Sequence, residues 1–232
     1  MFRQVLTSAL FAGFAAGLIA AALQLVFVQP VLLASELYES GEVIHVAGQG
    51  SSAHVAWAFD PVRDMLSVLF TTLVYCGYGM LLTAAMGLAA LRGVEITPRA
   101  GLIWGVAGFV ALHLAPAFGL PPELPGSAAA DLGARQVWWF STVAATAIGL
   151  WLIAFGSTPL PRVIGALALA APHLVGAPHP DTFVGPVPPE LAGLFAARAL
   201  GVGFVAWALL GTLAGWFWQR EADLQAQEAR GT

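Results

Sequence analysis

VLTSALFAGFAAGLIAAALQLVFV, residues 5–28, carries no charged side chain over 24 consecutive positions. Wound as an α-helix it is about 36 Å long, more than the roughly 30 Å hydrocarbon core of a bilayer. Only Arg3 precedes it. The run is also longer than the apolar region of a cleavable leader, so the expectation is an uncleaved membrane anchor.

The rest of the chain repeats the pattern. The sequence of 232 residues is 59% hydrophobic and 9% charged, with a mean hydropathy of +0.81. Soluble domains carry about 25% charged residues, so the class is an all-α polytopic membrane helix bundle. Scanning for spans gives Val5–Val28, Met65–Leu91, Ala100–Gly119, Gln136–Phe155, Val163–Pro178 and Ala199–Trp218. The fifth is short and contains Pro172, so five full spans is the alternative to six. The domain reading is one transmembrane domain over 1–219, in hairpins at about 5–91, 100–155 and 163–218. A short polar tail, 220–232, follows and is expected to fray. Cys76 is the sole cysteine and lies in an apolar run, which points to helix packing. The net charge of −4 gives no basis for a nucleic-acid partner.

Arginines orient the bundle. Arg3, Arg92, Arg99, Arg162, Arg220 and Arg230 fall on one side, and Arg63, Arg135 and Arg198 on the other. The positive-inside rule then puts both termini in the cytoplasm. The loops 29–64, 116–135 and 173–198 face outward. They hold Glu36, Glu39, Glu42, Asp60, Asp64, Glu123, Asp131, Asp181 and Glu190, with all five histidines in or beside them.

Those outer segments contain an echo. HLAPAFGLPPELPG (113–126) and HLVGAPHPDTFVGPVPPELAG (173–193) each begin with a histidine at the end of an apolar run and each contain PPEL. Imidazole and carboxylate at the mouth of a membrane helix are costly to place and mark candidate sites. Such a recurrence predicts parallel hairpin repeats, with His113 and His173 at matching depth and Glu123 and Glu190 above them, near Arg135 and Arg198. The seven extra residues between His173 and Glu190 should lengthen the outer loop around Asp181. Imidazole and carboxylate ligands suit a divalent transition metal. The candidate metal groups are His113, His173, Glu123, Glu190, Asp131, His45, His54, His179 and Asp181. Each histidine also has a structural reading, as donor to a carbonyl freed by the proline that follows it. Arg63, Arg135, Arg198 and Asp60 read as structural ion pairs at helix ends. Trp138-Trp139 and Trp216 with Trp218 fit aromatic belts, and the many glycines fit close helix contacts. There is no zinc-protease, nucleophile-elbow or phosphate-loop motif, so the chain is not read as an enzyme.

MFRQVLTSALFAGFAAGLIAAALQLVFVQP, HLAPAFGLPPELPGSAAADLGARQVWW, and APHLVGAP followed by VPPEL resemble the predicted cobalt transporter subunit family, CbtA type. The likeness covers nearly the whole chain. It implies a membrane subunit taking up Co²⁺ as substrate for cobalamin synthesis, with no organic cofactor. It also implies a small single-span, His-rich partner of the CbtB type, beside contact with membrane lipid. The alternative is a non-transporting scaffold or metal-sensing subunit that docks a partner through its outer loops.

Overall fold

The computed structural model describes residues 2–44 and 59–231. His45 and His54 lie outside the described residues. The described chain is helical: α1 (Phe2–Leu23), a π turn (Gln24–Val28), α2 (Gln29–Glu39), α3 (Pro61–Ala90), α4 (Pro98–Phe109), a second π turn (Val110–Leu114), α5 (Ala115–Ala117), α6 (Leu132–Phe155), α7 (Pro159–Val175) and α8 (Pro189–Gly231). Among the described residues, five helical segments are long and apolar enough to cross a membrane: Phe2–Glu39, Pro61–Ala90, Pro98–Ala117, Leu132–Phe155 and Pro189–Arg230. The expected membrane helix bundle is therefore the fold. At 17 residues, α7 is a shorter apolar helix, about 26 Å long against a 30 Å core.

The helix ends follow from local chemistry. Asp60 caps α3 by accepting from the Val62 and Arg63 amides, and Asp131 caps α6 by accepting from Ala134. Both satisfy amide groups that an opening turn leaves without helical partners. Each π turn ends two residues before a proline, Pro30 or Pro116. Proline has no N–H to offer the carbonyl four residues back and its ring collides with it, and a widened turn relieves that collision. Pro172, expected to break the fifth span, is carried inside α7, which ends at Gly176 with φ 87°. Residues 220–231 of the tail expected to fray continue α8.

The chain divides into two compact units, residues 1–25, 59–109 and 202–232 in the first, and 26–58 with 110–201 in the second. The first unit is built on backbone-to-backbone helix contact. A methyl placed on Gly13 would stand 2.6 Å from Cys76 Cα, and one on Gly17 would stand 2.7 Å from Thr72 Cα, which joins α1 to α3. Gly101 and Gly105 of α4 meet Gly211 and the Trp207 carbonyl of α8 in the same way, and Gly108 makes room for the Trp207 indole. Trp207, Met86 and Leu210 fill the interior. Lipid tails are as apolar as leucine, so small residues that admit close approach supply the association energy. Phe11, Leu69, Phe70 and Ile103 lie exposed and suit a hydrocarbon environment. In the second unit α6 and α7 touch where Gly149 faces Gly165.

Candidate functional site

The three described histidines, His113, His173 and His179, all belong to the second unit, with Glu123, Asp131, Asp181 and Glu190. His113 lies in the π turn Val110–Leu114 and is half-buried. π turns inside α-helices recur at functional positions. His173 occupies the last turn of α7, half-buried. Its ring meets Phe118 edge-on at 5.3 Å and Trp138 at 6.1 Å between centroids. The carbonyl beside it, Pro172 O, accepts from Trp138 Nε1 at 3.2 Å and from the Gly176 amide at 3.1 Å. Thus Trp138, expected in an interfacial belt, is turned inward and buried, where its N–H has a partner. Trp218 is likewise buried, whereas Trp216 is exposed, with the Arg220 guanidinium 5.3 Å from its ring centre.

Carboxylates and arginines pair in particular ways. Arg135 Nη2 donates to Glu123 Oε2 at 2.6 Å, each side chain near 30% exposed. Arg63 Nε binds Asp64 Oδ1 at 3.0 Å, and Asp60 serves as the helix cap described above. Arg198, expected near Glu190, donates instead to the Phe27 carbonyl in the first π turn at 3.0 Å. Glu190 is exposed in the opening turn of α8. His179 Nδ1 stands 3.2 Å from the Pro180 carbonyl, and Asp181 is exposed. The loops themselves pack together. Ala128 N donates to Val184 O at 3.0 Å, and Gly126, at φ 78°, lies against Pro186.

The PPEL echo does not become a structural copy. Residues 121–124 form loop, whereas Pro189 and Glu190 of the second copy begin α8. Consequently the loop at 176–188 is no longer than the loop at 118–131. The extra residues before Glu190 are absorbed because Glu123 sits mid-loop and Glu190 sits in a helix.

Among the described residues, no three His, Cys, Asp or Glu side chains gather closely enough to hold a metal ion. A groove of about 1040 Å³ runs between α6 and α7, with Asp131 and His179 at one end; His113 and His173 do not line it. Sequence reading missed this groove. Its signal was present, since Ala134, Val137, Ser141 and Ala145 recur on one face of α6.

Nothing among curated proteins or solved structures matches the chain. The family model described as probable cobalt transporter subunit, CbtA, matches residues 2–219. With five or six membrane-capable helices and a match over nearly its whole length, the chain belongs to the CbtA family of cobalt transporter subunits.

Proposed function

We propose that this chain imports Co²⁺ across a bacterial inner membrane toward cobalamin synthesis, entering from the side of the histidine-bearing loops, with both termini in the cytoplasm. The observation that carries this reading is the collection of His113, His173 and His179 in one unit of a chain from a cobalt transporter subunit family. In this reading the ion keeps most of its water and meets one or two protein groups at a time, His173 and His113 first among them. Sites of that kind bind loosely enough to release, which conduction requires. Glu123, Asp131, Asp181 and Glu190 lower the cost of bringing a dication to the entrance, with His45 and His54 as capture groups. Affinity alone would favour Cu²⁺ over Co²⁺, so selection falls to geometry and to a small single-span, His-rich partner of the CbtB type.

The test is accumulation of radioactive cobalt at low external cobalt, with that partner co-expressed. Cells with the wild-type chain should accumulate severalfold more than cells without it, and His113→Ala and His173→Ala should each remove most of the gain. Equal accumulation, with the protein confirmed in the membrane, would overturn the proposal. A scaffold or metal-sensing role draws support from one observation: Glu123 is already engaged by Arg135. The scaffold form of that role requires the purified chain to show no saturable Co²⁺ binding and His113→Ala to leave any uptake phenotype intact; the sensing form requires saturable Co²⁺ binding with no uptake.

A further inference from the structure

The groove between α6 and α7 has a definite construction. At one end Gly149 and Gly165 bring the two backbones into contact: a methyl on Gly165 would stand 2.6 Å from Gly149 O. From that pinch the helices part, and small side chains line the space: Ala134, Ser141 and Ala145 on α6, Ala168 and Ala171 on α7. Between Gly133 and Ala145 the groove follows about 18 Å of helix. Its volume of about 1040 Å³ then corresponds to a cross-section of about 58 Å². A helix with side chains is about 10–12 Å across, or roughly 80–110 Å² in section. One helix would therefore sit a little more than half sunk.

Ser141 decides what kind of occupant fits. It is exposed on the groove wall, about 14 Å along α6 from its first residue. No hydrogen bond joins its hydroxyl to any described residue, whereas the neighbouring Thr142 hydroxyl bonds the Trp138 carbonyl at 2.8 Å. An acyl chain offers a hydroxyl at that depth nothing beyond its own helix's carbonyls, whereas the polar side chain or backbone of another helix adds a partner. Asp131 at the mouth favours a partner with a donor or cation at that level. A second copy of this chain meeting about a two-fold axis would set the groove against itself, concave on concave, and fill neither.

We propose that this groove seats one transmembrane helix of a second polypeptide, rich in small and aliphatic residues on the facing side, with a hydrogen-bonding group level with Ser141. The inference rests on the transporter-subunit reading above, and the experiment separates the two. In a Cys76→Ser background, Ser141→Cys in the groove and Leu69→Cys on the exposed face of α3 are cross-linked in native membranes to single cysteines placed along the co-expressed single-span subunit. Ser141→Cys should react with one face of that helix, at a spacing of three to four residues, and Leu69→Cys should not. Ala171→Trp, which fills the groove without touching the glycine pinch, should cut the co-purified subunit at least tenfold while the chain's own thermal unfolding is unchanged. Cross-links confined to Leu69→Cys, cross-links only between copies of this chain, or full recovery of the subunit with Ala171→Trp would overturn the docking site. So would a co-purifying subunit that never reacts at Ser141→Cys, which would leave lipid as the occupant. Subunit-dependent uptake alongside any of these results would leave the transporter reading standing. No uptake even with the subunit co-expressed, and no complex, would overturn both.

Discussion

Replacing Gly149 with alanine sets two effects of known size against each other. The added methyl would stand 2.7 Å from the Gly165 carbonyl oxygen, inside ordinary carbon–oxygen contact by about half an ångström. A gap of that size in a packed seam forfeits a quarter or more of each affected contact, and overpacked sites cost about 1–3 kcal/mol. Alanine returns about 1 kcal/mol by its better helix propensity. The net expectation is a loss of about 0–2 kcal/mol, or up to roughly 8 °C in Tm for a chain of this size. Gly77 is the control, because nothing lies within 4 Å of a methyl there. Gly77→Ala keeps only the propensity gain and should raise Tm by about 2–4 °C. Gly165→Ala strains the same contact from the other side, so Gly149→Ala with Gly165→Ala should cost less than the sum of the two singles. Thermal unfolding of the four variants in one detergent measures all of this. If Gly149→Ala proves as stabilising as Gly77→Ala, or the double variant is additive, the two helices do not touch at these glycines.

Asp60→Ala should cost about 1 kcal/mol by leaving the Val62 and Arg63 amides without their side-chain acceptor, while Asp60→Asn stays within a few tenths of wild type. Equal melting temperatures for Asp60→Ala and wild type would show that the cap contributes nothing. Trp138→Phe removes the indole donor to Pro172 O but leaves the Gly176 amide on that carbonyl. Its thermal unfolding should therefore show a loss of about 0.5–1.5 kcal/mol, and a loss beyond about 3 kcal/mol would mean that Trp138 holds α7 by more than this bond.

Hydropathy made the class legible because a bilayer forces backbone hydrogen bonds inside each spanning segment, and only long apolar helices comply. It could not place helix ends, because α8 runs from Pro189 to Gly231 through residues polar enough to leave the membrane without leaving the helix. Trp138 shows why site geometry was harder to read. Trp138, Thr142, Thr146 and Gly149 form the buried face of α6, a spacing visible in the sequence. A Trp-Trp pair at a membrane boundary invites the belt reading, and only the position of Pro172 O explains why one of the two turns inward. Arg198 went to a carbonyl and not to Glu190 because the first π turn presents Phe27 O to it, and nothing in local composition announces a π turn except the proline two residues beyond.

The two PPEL segments show how neighbours decide what a motif becomes. Pro-Pro-Glu is a good helix opening: proline fits the first helical position and glutamate favours the positive end of the helix dipole. At 188–191 the residues that follow are Ala192, Gly193 and Leu194, and α8 forms with Glu190 in its first turn. At 121–124 the next residues are Pro125 and Gly126. Proline disfavours helical backbone at Leu124, and Gly126 takes φ 78°, turning the chain away. Leu124 is then buried, 3% exposed, and Glu123 is left on a loop from which it reaches Arg135. One glutamate is thus committed to an ion pair and the other to a helix terminus. The two glutamates stand in different settings, as do His113 in a π turn and His173 against Phe118 and Trp138.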